Sequence, residues 1–193
     1  MRHFGQILAG LVFACVLTAA SVSTRAANPI SPREASADIG GRFDLVDQNG
    51  RAVDDSQFRG KWLLVYFGYT HCPDACPTAL TNIADALDQI GLERRQKVQA
   101  IFISVDPERD TPSVMKDYVG AFEGANIIGL TGTQAQVDEA EADYRIRARR
   151  YDLPGGDYAM SHAATIDIMD PDGHFVAMAR PEHIGERLAQ LVQ

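Results

Sequence analysis

The chain has 193 residues, enough for one domain of ordinary size with a core of its own plus a terminal extension. Its 18 basic residues stand against 26 acidic ones, a net charge of −8. That balance excludes the basic footprint that nucleic-acid binding requires.

The first residues, Met1-Arg2-His3, precede a mainly apolar run over residues 7–20 and then the small and polar stretch 21–27. A basic start, an apolar middle and a small-residue end make an export leader. The run falls short of the roughly 20 residues of a spanning helix, yet extends to Val22. Residues 1–27 are therefore expected to be either a cleaved signal peptide or an N-terminal membrane anchor. Val12-Phe13-Ala14-Cys15 resembles a lipoprotein cleavage site only weakly, because the apolar run continues past the cysteine. The leader carries Arg2, Arg25 and no acid, so the remainder has 16 basic and 26 acidic residues, a net charge of −10. Cys15 lies within the leader, which leaves the exported part only Cys72 and Cys76. A lone close pair outside the cytoplasm is a disulfide, a redox dithiol or a metal site.

Residues 28–41 are rich in Pro, Ser, Ala and Gly without apolar periodicity and are expected to form a flexible tether, with the folded domain spanning 42–193. Apolar residues flank Gln48-Asn49-Gly50 within 43–53, a hairpin signal because Asn and Gly tolerate positive φ. Residues 62–67 (Trp-Leu-Leu-Val-Tyr-Phe) form an unbroken β-prone run, as expected of a central strand covered on both faces. A loop over 68–76 follows. Pro77 suits a first helical turn, and Leu80, Ile83, Leu87 and Ile90 share one face until Gly91 ends the helix. Residues 98–104 are a second buried strand. The loop Asp106-Pro107-Glu108-Arg109-Asp110-Thr111-Pro112 leads into a helix with Met115, Tyr118, Val119 and Phe122 facing inward.

A short third strand is expected at 126–130, and Thr133 with Gln136 makes a capping box for a helix reaching Tyr144. Strands are expected over 145–150 and 163–169, a turn at Asp170-Pro171-Asp172-Gly173, a hairpin partner over 174–179 and a helix over 181–193. A βαβ half followed by a helix, a hairpin and a final helix is the thioredoxin-like α/β arrangement, here with an N-terminal β-hairpin and an inserted strand and helix.

Chemistry concentrates in Tyr69-Thr70-His71-Cys72-Pro73-Asp74-Ala75-Cys76-Pro77. Two cysteines four apart sit where a strand gives way to a helix, whose unpaired N–H groups favour thiolates. Positions i and i+4 share a helix face, so both sulfurs can reach one ion. Three intervening residues depart from the usual redox spacing of two, and a static disulfide across so short a loop adds little. Thiolates select copper(I), zinc or iron–sulfur clusters, and two cysteines do not complete a four-cysteine site. The histidines are His3 in the leader, His71, His162, His174 and His183. In a thioredoxin fold, the loop holding Met160-Ser161-His162-Ala163 usually carries a proline facing the cysteines. A histidine stands there instead, which makes His162 the best-placed third ligand, with His71 as competitor; His174 and His183 read as surface residues.

Three blocks together resemble the Sco/SenC family of copper-binding assembly factors for cytochrome c oxidase. They are Gly68-Tyr69-Thr70-His71-Cys72-Pro73-Asp74-Ala75-Cys76-Pro77, then Ser104-Val105-Asp106-Pro107-Glu108-Arg109-Asp110-Thr111-Pro112, then the His162 segment running into Met169-Asp170-Pro171-Asp172-Gly173. The resemblance implies a copper site of Cys72, Cys76 and His162, with Asp106 either an auxiliary or supporting ligand or a loop carboxylate capping the following helix. Met160-Ser161 stands where relatives often have Val-Asp. The implied cargo is copper(I) and copper(II), the latter needing one more oxygen or nitrogen donor. The implied role is a metallochaperone, not an enzyme, that delivers copper to the copper-site subunit of cytochrome c oxidase. Its other implied partners are further copper chaperones, thioredoxin-like reductants and the inner membrane, on the periplasmic side of a bacterial cell. A second reading makes the cysteine pair a thiol–disulfide reductase that keeps the oxidase cysteines reduced. A peroxidase of the peroxiredoxin type ranks last, since neither the paired-cysteine loop nor the matched histidine suits it.

Overall fold

A computed structural model describes residues 39–193 apart from residue 123. The leader at 1–27 and the tether over 28–38 lie outside the described residues. Strands β1 (Asp44–Asp47) and β2 (Ala52–Asp54) form the N-terminal hairpin, with Gly50 at φ +78 in its turn. Then come β3 (Trp62–Gly68), helix α1 (Ala75–Gln89), the single turn α2 (Leu92–Arg95), β4 (Val98–Ser104), α3 (Pro112–Gly120), β5 (Ile128–Thr131) and α4 (Gln134–Asp143). A separate pair, β6 (Arg149–Asp152) and β7 (Tyr158–Ser161), precedes β8 (Ile166–Met169), β9 (Phe175–Ala179) and α5 (Ile184–Leu191).

The main sheet runs β2-β1-β5-β4-β3-β8-β9. Strands β3, β4 and β5 are parallel, and β8 lies antiparallel to β3 with Tyr66 opposite Ile166. Leu63 to Phe67 and all of β4 are buried, which explains their apolar character without alternation. Helix α1 buries Cys76, Ala79, Leu80, Ile83, Ala86 and Leu87 and packs against α5. Tyr118 of α3 meets Phe102, which stacks on Tyr66, so α3 covers the same sheet face as the start of α1. The opposite face receives α4, whose flanking Tyr144 contacts Phe67. This is a thioredoxin-like fold with the expected N-terminal hairpin and an inserted α3–β5 segment.

Several boundaries move, each for a local reason. Helix α1 begins at Ala75, two residues before Pro77, because a proline within the first turn gives up an N–H that has no intrahelical partner. The capping box forms: Gln136 N donates to Thr133 Oγ1, and Thr133 N donates to Gln136 Oε1. After α4, Arg145 adopts φ +54 and Ile146 N donates to Glu141 O, a left-handed helix ending that delays the strand expected from 145 to Arg149. Its partner β7 was not anticipated as a strand. The strand expected from 163 joins the sheet only at Ile166, and the one expected at 126–130 lies at Ile128–Thr131, after Asn126 at φ +50. The C-terminal helix starts with a 3-10 turn, Pro181–His183. Gly40 N donates to Asp143 O, so the end of the tether expected over 28–41 already binds the folded body.

One core residue defies the apolar pattern. Asp167 of β8 sits between Val65 and Met178, is 1% exposed, and among the described residues neither carboxylate oxygen has a hydrogen-bond partner. Burial raises its pKa to about 7. Between the unfolded value of about 3.9 and that value, the folded chain holds a proton the unfolded chain lacks. Its contribution to stability therefore falls as pH rises from about 4 to 7, by at most roughly 4 kcal/mol. Urea unfolding across this range should show the decline in the native chain and a flatter profile in Asp167→Asn. Identical profiles would mean that this carboxyl has the same pKa in the folded and unfolded chains.

Candidate metal centre

Strand β3 ends at Gly68, where space is the constraint. A Cβ there would lie 2.6 Å from the Phe102 ring and 2.9 Å from Cys76 Sγ. The chain then turns through Tyr69-Thr70-His71, with Cys72 N donating to Tyr69 O. Asp110, wholly buried, fixes this turn. Its Oδ2 accepts from Thr70 N (3.1 Å) and Ser104 Oγ (2.6 Å), and its Oδ1 accepts from Thr70 Oγ1 (2.6 Å). Burial raises the Asp110 pKa, and these hydrogen bonds oppose the rise.

Cys72 is partly buried just ahead of α1, and Cys76 is the buried second residue of that helix. Both are free thiols. Cys76 N donates to Cys72 Sγ at 3.4 Å, so one of the orphan amides of the first helical turn points at that sulfur. Burial pushes the Cys76 thiol up to about 12. At neutral pH this sulfur carries its proton.

His162 follows the last residue of β7. Its Nε2 lies 3.5 Å from Cys76 Sγ, and its Nδ1 lies 2.9 Å from Ala163 O. A carbonyl only accepts, so Nδ1 carries the proton and Nε2 presents its lone pair to the sulfur. Burial lowers the His162 pKa, which keeps the ring neutral at neutral pH. The edges and faces of Tyr69 and Tyr66 enclose the imidazole, with centroids 5.9 and 6.2 Å away. The arrangement is a pair of sulfurs and one neutral nitrogen donor at the edge of an aromatic pocket.

The other histidines are placed differently. The exposed ring of His71 turns toward Thr70 Oγ1 (3.1 Å) and Asp110 Oδ1 (4.0 Å). His174 lies 3.5 Å from Asp170 in an exposed turn, and His183 closes the 3-10 turn before α5. His3 lies outside the described residues. Asp106 has both oxygens engaged: Oδ2 accepts from Arg109 Nε at 2.6 Å, and Oδ1 from the Tyr158 hydroxyl at 2.8 Å. The α3 helix is capped by Thr111, whose Oγ1 accepts from Val114 N, and not by Asp106. Asp110 is the residue that sequence reasoning passed over. Nothing in a single sequence marks one loop acid among several as the one that folds inward.

Residues 31–193 match the SCO1/SenC family. The chain is 37% identical over 152 residues to Protein SCO1 homolog 1, mitochondrial, of Arabidopsis thaliana, an alignment covering 79% of this chain and 45% of that protein. It is 39% identical over 140 residues to Protein SCO2, mitochondrial, of Saccharomyces cerevisiae, covering 72% and 46%. The chain thus spans less than half the length of these two relatives. The structure of Bradyrhizobium japonicum ScoI with copper bound superposes with a TM-score of 0.71 at 46% identity, covering 79% of this chain and 98% of that one. On the matched length, the identity to these relatives and the shared fold, the chain belongs to the SCO1/SenC family.

Proposed function

We propose that Cys72, Cys76 and His162 bind copper and that the protein is a metallochaperone which hands it to a copper-containing respiratory oxidase. The observation that carries this reading is the approach of His162 Nε2, with its lone pair free, to within 3.5 Å of Cys76 Sγ at the start of α1. Two thiolates and an imidazole match the preference of copper(I). The copper-bound structure of the related ScoI supports the same cargo. Cys76 must release its proton on loading, while His162 needs no deprotonation. Partly buried Cys72, less enclosed than Cys76, is the ligand an acceptor thiolate reaches first, so transfer proceeds by ligand exchange to the reduced cysteines of the copper-site subunit of cytochrome c oxidase. Residues 1–27 would direct the domain to the periplasmic side of the inner membrane, as a cleaved signal peptide or as a retained anchor. There, other copper chaperones would load it and thioredoxin-like reductants would keep it reduced.

A second reading rests on the unequal burial of the free thiols. Cys72 could attack an acceptor disulfide, and Cys76 would then displace the mixed disulfide. The acceptor would leave as a dithiol and the pair would be left oxidised. Only metal delivery needs His162.

Titration of the reduced protein should give one copper per chain, with thiolate-to-copper(II) absorption lost in Cys72→Ser and Cys76→Ser. His162→Ala should weaken binding strongly, by more than the roughly 10–100-fold typical of losing a residue that only supports a ligand, and unchanged affinity there would move the nitrogen ligand elsewhere. Copper(I) affinity, measured against a competing chelator, should rise about tenfold per pH unit for each thiol proton displaced between about pH 6 and 8. A flat profile would mean that Cys76 is not a ligand. In cells, loss of the protein should lower oxidase activity in scarce copper, with partial rescue by added copper. His162→Ala should fail in the same way. Full activity of that variant in scarce copper would favour thiol reduction.

A further inference from the structure

Among the described residues, strands β6 and β7, which lead to His162, pair only with each other. Downstream of His162, Ala163 and Ala164 are exposed, and the chain rejoins the main sheet only at Ile166. The imidazole thus hangs between the β8 ladder on one side and the hairpin on the other. Whatever fixes the hairpin fixes the ring.

The hairpin is held at Tyr158, four residues before His162. The Arg109 guanidinium stacks on the Tyr158 ring with Cζ 3.6 Å from the centroid, and Nη1 donates to Tyr158 O (3.0 Å) and Asp157 Oδ1 (3.2 Å). Its Nε donates to Asp106 Oδ2, while the other oxygen of that carboxylate accepts from the Tyr158 hydroxyl. Arg150 of β6 stacks on the same ring at 3.6 Å and reaches Glu108 Oε2 at 3.5 Å. Met160 adds packing against the core. Asp106, Glu108 and Arg109 therefore all grip the histidine hairpin, and the next residue, Asp110, grips Thr70 two positions before Cys72. One short loop holds both halves of the site.

Resting on the copper reading above, we infer that Arg109 is a positioning residue which, through Asp106 and Tyr158, sets His162 over the cysteine pair. Arg109 does not touch the donor atoms. Removing it should leave the two sulfurs in place, because Asp110 and α1 hold them independently, and should release the nitrogen. The expected signature is a change in the nitrogen component of the site with the sulfur component retained. Simple loss of stability would not produce that pattern.

The test uses the full-length protein loaded with copper(II), comparing the native chain with Arg109→Leu, Arg109→Lys, Tyr158→Phe and His162→Ala. Electron paramagnetic resonance reads imidazole nitrogen coupling, visible absorption reads thiolate ligation, and circular dichroism checks folding. Arg109→Leu should keep the thiolate band, lose or broaden the nitrogen coupling as His162→Ala does, and bind copper roughly 10–100-fold more weakly. Arg109→Lys should recover part of the coupling, since it keeps the charge facing Asp106 without the planar stack. Tyr158→Phe, which deletes one hydroxyl and keeps the ring, should shift the coupling in the same direction; it carries the test alone if Arg109→Leu does not fold. Native-like nitrogen coupling and affinity in the folded Arg109→Leu, or in Tyr158→Phe when only that variant folds, would overturn the inference. Absence of nitrogen coupling in the native chain would instead overturn the copper site on which it rests.

Discussion

The first turn of α1 is pressed against the end of β3 so closely that Cys76 Sγ occupies space a side chain at Gly68 would need. Much of the site follows from that contact. The sulfur is buried and its thiol is hard to ionise, while the Cys76 amide, unpaired within the helix, is left to meet Cys72. The neighbouring rings Tyr66, Phe102 and Tyr118 fill the space around the contact and keep the pocket dry. A metal with strong thiolate affinity can displace that proton, whereas water cannot reach the sulfur from the core side.

The two sides of the site are tied by different physics. The cysteine side is held by helix packing and by one buried carboxylate that accepts three hydrogen bonds, so its geometry is shared by many partners. The histidine side depends on a hairpin outside the main sheet, held by stacking and charge-assisted hydrogen bonds. Such contacts are directional, and they fix orientation better than apolar packing does.

Asp167 shows the opposite use of a buried carboxyl. Asp110 is surrounded by donors and organises a loop, while Asp167 has none among the described residues and is kept near neutrality by burial alone. The first contributes order, and the second is a cost carried by the surrounding β3, β8 and β9 packing. The contrast lies in neighbours, since both residues are nearly inaccessible to solvent.

What the sequence by itself determined is the part written in local pattern. The unbroken apolar runs of β3 and β4, the helical spacing of Leu80, Ile83 and Leu87, the Thr133 capping box and the Asn49-Gly50 turn each specify structure through contacts a few residues apart. The cysteine spacing at a strand-to-helix junction is legible for the same reason, and so is the histidine that replaces a proline in a known loop. Only the tertiary structure decided which acid turns inward, that Asp106 is committed to Arg109 and Tyr158, that His71 faces away, and that β6 has a partner in β7. The turn of Asp110 toward Thr70 and the Asp106–Tyr158 bond join residues 40 and 52 positions apart, and the β6–β7 pairing, though local, rests on a hairpin that no apolar alternation marks. Polar side chains carry no periodic signal, and a single sequence does not encode which donor a buried carboxylate will find until the sheet has set the distances.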